Sequence, residues 1–225
     1  MNPAANMTWY EAAAFVNWLN TSTGHVAAYQ LTGVTALTLW SSAQAWQLDG
    51  ENLYRHKDAY YFLPSEDEWY KAAYHQNTGV NANYWDYATG SNTIPTQALT
   101  DGTTPFTAIF DGTEAGAPAD PADVNLAGGL SAYLTMGQNG NVREWQESAF
   151  TAPNDVSSEP RALRGGAWLS SEIGLRSSTR DSLFPSTSSL NIGFRVASVP
   201  EPSCAVLLIG TGLVFLARRR RGPSL

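Results

Sequence analysis

From Thr78 to Asp123 the chain is rich in Gly, Thr, Pro, Asp and Ala. Turn-forming residues at that density read as long irregular loops. A fold carrying so long an irregular stretch must draw its stability from elsewhere, and the rings supply a source. Eight Trp, ten Tyr and eight Phe accompany 19 Gly and 12 Pro, with only 15% charged residues. Such a mixture suits a core of large rings under irregular turns better than a helical bundle. A length of 225 residues leaves room for one sizeable domain, or one domain and an appendage.

Ordered elements are expected on either side of the loops. Thr8-Trp9-Tyr10-Glu11 is a capping-box pattern, and Trp9, Ala12, Val16 and Leu19 recur at helical spacing, so a helix is predicted from Trp9 to Asn20. A second box, Ser65-x-x-Glu68, predicts a helix over Glu66–His75 with Trp69 as its core anchor. Its acidic trio Glu66, Asp67 and Glu68 faces the positive end of the helix dipole, and reads as a helix start rather than a catalytic carboxylate pair. Gly24–Asp49 alternates small and apolar residues and fits a short hairpin. "MGQNGNVREWQES" (Met136–Ser148) suggests a Gly-Asn turn into a short strand containing Glu144 and Trp145. "IGFRVAS" (Ile192–Ser198) reads as a last core strand, with Phe194 and Val196 opposite Arg195.

Charge and thiol content exclude several classes. Formal net charge is −7, and four of the 13 basic residues are Arg218, Arg219, Arg220 and Arg221. Residues 1–217 therefore hold nine basic against 20 acidic residues, which argues against nucleic acid as a partner. The single cysteine, Cys204, rules out intrachain disulfides and thiolate zinc sites. His25, His56 and His75 fall at no metal-motif spacing and read as surface or helix-end residues.

The tail differs in kind. "SVPEPSCAVLLIGTGLVFLARRRR" runs from a Pro-Glu-Pro, through an uncharged stretch Cys204–Ala217, into four arginines. Fourteen residues at about 1.5 Å each fall short of a hydrocarbon core of about 30 Å, and snorkelling arginines extend the reach. Basic residues favour the cytoplasmic side, placing everything before Pro200 outside. Pro200, Glu201, Pro202, the apolar run and Arg218–Arg221 together resemble the PEP-CTERM sorting signal of Gram-negative bacteria. The resemblance implies recognition by an exosortase-type protease, transient residence in the inner membrane on a C-terminal anchor helix, and delivery to the envelope or extracellular matrix, with exopolysaccharide or another extracellular ligand as a partner. The opening "MNPAANMTWYEAAAF" has no basic n-region or apolar h-region, so a longer natural N-terminus bearing an export signal is expected.

Four segments in order, "MTWYEAAAFVNWL", "FLPSEDEWYKAAY", "GNVREW" and "LRGGAW…LRSSTR…NIGFRVAS", resemble the formylglycine-generating enzyme (sulfatase-modifying factor) domain over residues 5–198, with the sorting signal at 199–221. The resemblance implies an α+β fold, a C-type-lectin-like variant with few short strands and helices between long irregular loops. Trp69, Trp145, Gly165, Gly166, Trp168, Arg176, Arg180 and Arg195 are then expected to be structural. Active members of the family oxidise a client cysteine with copper(I) held by two cysteines after the Gly-Gly-Ser/Ala-Trp turn. Here that stretch reads "LSSEIGL". The first cysteine position falls on Ser170, and the second lies between Ser171 and Leu175. Hydroxyls are poor copper(I) ligands and cannot exchange with a thiol. No copper is expected, no catalytic residue is assigned, and Ser170 and Ser171 are read as turn formers. A non-catalytic binding or matrix protein is the leading reading; the alternative is an active member performing formylglycine generation or a related oxidation.

The family also implies a structural calcium, held here by the carbonyls of Gly137, Gly140 and Val142 and by the Glu144 carboxylate; hard oxygen donors suit it. Without an ion, Glu144 would pair with an arginine. Asp101, Asp111 and Asp123 are undivided candidates for a second site. Exposed rings among Tyr84, Trp85 and Tyr87 are candidates for stacking on sugars.

Overall fold

A computed structural model describes residues 1–47, 51–80, 83–112, 120–151 and 153–199. Its first helix, α1, spans Trp9–Ser22 and begins with the expected capping box: Glu11 N donates to Thr8 Oγ1 while Thr8 N donates to the Glu11 carboxylate. One face buries Trp9, Ala12 and Val16, as the spacing predicts, together with Ala13, whereas Leu19 is only partly buried. The hairpin region resolves into β1 (Gln30–Thr32) paired with β2 (Ala36–Thr38), followed by β3 (Ala45–Gln47) paired with β4 (Glu51–His56). Strand β5 (Tyr61–Phe62) leads into α2, Glu66–Tyr74, whose Ser65 box closes reciprocally with Glu68. His75 is the cap of α2 rather than its last residue.

Among the described residues, the loop-rich middle contributes only the strands β6 (Thr96–Gln97) and β7 (Thr107–Ala108). The central sheet then forms from β8 (Arg143–Ala149), β9 (Arg161–Arg164), β10 (Asp181–Leu183) and β11 (Ile192–Gly193), in the order β10-β9-β8-β11. A 3-10 turn, Glu172–Leu175, separates β9 from β10. The last segment is not one strand: β11 pairs with β8, the chain turns through residues 194–196, and β12 (Ala197–Ser198) pairs with β5 instead. Phe194 and Val196 still pack on the core while Arg195 points to Glu144, so the expected alternation survives the break.

Strand β8 organises the molecule. Successive strand residues face opposite sides, and both sides are covered. Trp145 and Glu147 turn toward α1, where Trp9, Tyr29, Tyr54, Leu63 and Leu163 complete the larger core. Glu144 and Ser148 turn toward α2: Glu144 accepts from Trp69 Nε1, and Ser148 Oγ accepts from Glu66 N. "REWQESA" is polar in composition, yet Glu144 through Ala149 are all buried. Each carboxylate must therefore find donors inside the fold.

Candidate functional site

Gly140 and Asn141 set the site's geometry. Both backbones are left-handed, with φ of +77° and +62°. Gly140 N donates to Gly165 O at 2.7 Å, Asn141 N to Ile109 O at 2.7 Å, and Trp168 N to Asn141 O at 2.8 Å. The turn is thus clamped between the loop at Ile109 and the Gly165–Trp168 loop. A Cβ at Gly140 would lie 1.8 Å from Ile109 O, so only glycine fits.

Beyond the turn opens a cavity of about 190 Å³, lined among others by Gly137, Asn141, Val142, Glu144, Phe194 and Arg195. Three of the four residues expected to hold calcium line it together; Gly140 lies at the clamped turn beside it. The Glu144 carboxylate is already engaged. Trp69 Nε1 donates to Oε2 at 2.6 Å, Arg195 Nη2 donates to Oε1 at 2.5 Å, and Arg195 Nε also donates to Oε2. Arg195 holds itself in place by a further bond to Met136 O. Oε1 receives only one of these donors and keeps a free lone pair. Asn141 adds an acceptor that motif reading did not assign: its Oδ1 is buried and has no partner, while Nδ2 donates to Ala122 O. Asn141 and Glu144 line the same cavity, and amide and carboxylate oxygens are the kind of donor a hard cation takes. Arg195 opposes it, because its charge already neutralises Glu144.

A second hollow, about 70 Å³, lies behind the Gly-Gly-Ala-Trp turn and is lined by Arg143, Arg164, Gly166, Ser170, Gly174 and Asp181 among others. Ser170 Oγ accepts from Ala167 N at 2.9 Å, closing the turn as expected of a turn former. A Cβ at Gly174 would stand 2.9 Å from the Cβ of Ser170, so these positions face each other across the loop. None of the residues lining this hollow is a cysteine.

Arg180, Arg164 and Arg176 all bond within the fold. Arg180 donates to both oxygens of Glu66, with Nη2 at 2.5 Å, and lies over Phe150. Arg164 reaches the same carboxylate at 2.7 Å and the carbonyls of Ser177 and Thr179. Glu66, read from sequence as a helix start alone, therefore also ties α2 to the loop between β9 and β10. Arg176 donates to Tyr87 Oη at 3.2 Å. That contact corrects the expectation for Tyr87, which is 1% exposed and belongs to the core. Tyr84 is exposed and rests against Tyr70 and His75.

Among the described residues no group of three His, Cys, Asp or Glu side chains is placed to hold a metal. Asp101 binds Thr103, whose hydroxyl and amide hold its carboxyl below the usual range, and Asp123 pairs with the Met1 amino group. Pro200, Glu201, Pro202 and Arg218–Arg221 lie outside the described residues, as does the expected anchor helix. No described helix is long and apolar enough to cross a membrane.

Comparison with known proteins agrees with this architecture. The sulfatase-modifying factor enzyme 1-like domain family matches residues 1–199, and the PEP-CTERM protein-sorting motif matches residues 198–221. Treponema denticola variable protein 1 superposes with a TM-score of 0.59 at 22% identity, over 87% of this chain and 70% of that one. CarF gives 0.53 at 21% identity, over 88% and 68%. At such identities the likeness is one of fold. No curated protein matches the chain.

Proposed function

The chain belongs to the sulfatase-modifying factor enzyme 1-like family and carries a sorting motif for export toward the cell envelope and exosortase-type processing, and on that premise we propose that it is an envelope-sorted binding or matrix domain without the family's oxidase chemistry. The observation that carries this reading is the loop after Trp168. Its residues 170–175 are Ser-Ser-Glu-Ile-Gly-Leu, with the first hydroxyl spent on closing the turn. Copper(I) asks for soft donors, and a client thiol asks for a thiol partner. The loop offers neither, so it does not fit copper.

Binding falls to what the loops display. Tyr84, held by Tyr70 and His75, presents a ring suited to a sugar face. Calcium is the proposed structural ion of the larger cavity, taken by Glu144 and Asn141 with carbonyls of Gly137 and Val142. Its role there is to satisfy buried oxygens and rigidify the turn. At 100-fold excess over its dissociation constant it would stabilise the fold by about 2.7 kcal/mol, seen as a calcium-dependent rise in melting temperature that EGTA reverses.

The deciding test pairs two assays. Retention on exopolysaccharide from the producing cells, lost in Tyr84→Ala, is the expected result. Turnover of a cysteine peptide with copper, in protein lacking the cysteine pair, would overturn the reading.

A further inference from the structure

The chain's 20 acidic residues are distributed unevenly, and none falls in 12–48 or 182–200. The one Lys or Arg in those stretches, Arg195, is spent on Glu144. The fold brings the two acid-free stretches together. Trp9 N donates to Pro185 O and Asn6 N to Ser189 O. The Phe15 ring meets Phe194 edge-on, with centroids 5.6 Å apart. Farther along α1, the Asn20 side chain bonds both N and O of Tyr61, which pairs with Ser198 of β12. The helix therefore runs beside the last described segment of the domain.

Along this side α1 turns large rings outward. Phe15 is 44% exposed and Trp18 60%, and the two rings touch. Phe15, Trp18 and Ser22 follow at i, i+3 and i+7, so they share one face. Glu11 stands at the N-terminal end of the same stripe and is engaged with Thr8. Elsewhere in the acid-free stretches Val26, Phe184, Leu190 and Val199 are also exposed.

The position of the chain's exit gives this face its partner. Val199 is fixed by its bond to Tyr60 O, and the apolar run of the sorting tail begins at Cys204. Four intervening residues can span at most about 15 Å. The domain is thereby leashed close to the bilayer that receives the tail. Trp and neighbouring apolar rings partition to the headgroup boundary, and a face whose one carboxylate, Glu11, stands at its end and is held by Thr8 meets little repulsion from anionic lipid.

We propose that the Phe15–Trp18 face of α1 docks on the lipid surface while the sorting tail is in place, holding the domain flat on the membrane beside the processing site. It is an interfacial contact, additional to the tail itself.

The test uses the full chain in phosphatidylethanolamine–phosphatidylglycerol vesicles, read on the fraction that floats with lipid. A nitroxide is placed at Ser22→Cys, or for comparison at Asp67→Cys on α2, each in a Cys204→Ser background. Docking predicts that position 22 becomes more accessible to oxygen and less to a nickel chelate, while position 67 stays aqueous. Phe15→Ser with Trp18→Ser should return position 22 to aqueous values, and Trp18→Ser alone, which removes only the more exposed ring, should move it the same way with the smaller change in melting temperature. Equal aqueous accessibility at the two positions would overturn the proposal. So would dipolar broadening at position 22 without lipid contact, which would assign the face to a second copy of the chain.

Discussion

Glu144 and Glu147 stand three residues apart on β8, and both are buried, yet they live in different chemistry. Glu147 is sealed on the α1 side. Tyr29 Oη donates to it at 2.9 Å, Asn52 Nδ2 at 2.5 Å, and Arg55 Nε lies 3.3 Å away. Arg55 is itself 1% exposed, divided between Glu147 and Glu68, and sandwiched by the rings of Trp46 and Phe62. Burial pushes the Glu147 carboxyl above its ordinary value, and Arg55 offsets this only in part. Glu144, on the α2 side, faces a cavity, and its arginine is a quarter exposed. The lesson is that burial alone does not mark a functional carboxylate. What matters is whether the wall beside it opens.

Removing each carboxylate sharpens that contrast. Glu147→Ala leaves Arg55 inside the core with only Glu68, a loss of about 3–5 kcal/mol in denaturant unfolding. Glu144→Ala leaves an arginine that can turn toward solvent, so the loss should be nearer 1–3 kcal/mol, by the same measurement. Equal losses would break the comparison. The Glu144 variant should also lose any calcium-dependent rise in melting temperature, whereas Glu147→Gln should keep it.

A smaller effect lies in pH. The folded state raises the Glu147 pKa, so over the window from the ordinary carboxylate value of about 4.3 up to the raised one it binds more protons than the unfolded chain. This contribution is complete below the window and is lost as pH rises through it. The difference in unfolding free energy between wild type and Glu147→Gln should therefore shift against wild type with rising pH. A reversed slope would mean the donors outweigh burial. Least of all, Asp101→Asn should leave the denaturant midpoint essentially unchanged, since its partners are in its own exposed loop.

The sequence made some of this plain. Both helix starts were legible because a capping box is written in four consecutive residues, and three of the residues that the family resemblance names for calcium line one cavity. Glu147 was not. "WQES" looks like an exposed edge, and its burial depends on Asn52, Arg55 and Tyr29, each roughly a hundred residues away. Glu66 shows the same limit: its local role as a helix start was readable, but its bonds to Arg164 and Arg180 come from the far side of the chain. The division of the last strand was hidden too, because nothing in "IGFRVAS" says that its two ends pair with different partners. Asn141 carried a signal that was available, an Asn directly after Gly in a turn, but the orphan oxygen needed the surrounding walls to become visible.

The pairing of β12 with β5 has a mechanical consequence. The end of the domain is fastened by two ladder positions and the Val199 bond to Tyr60 O. Tension drawn along the strand would load these attachments together, whereas tension drawn away from the sheet would open them one after another, beginning at Val199. A molecule that grips the tail and lifts could thus lengthen its slack by three residues while the β8–β9 sheet stays closed, so the fastening acts as a release sensitive to the direction of pull.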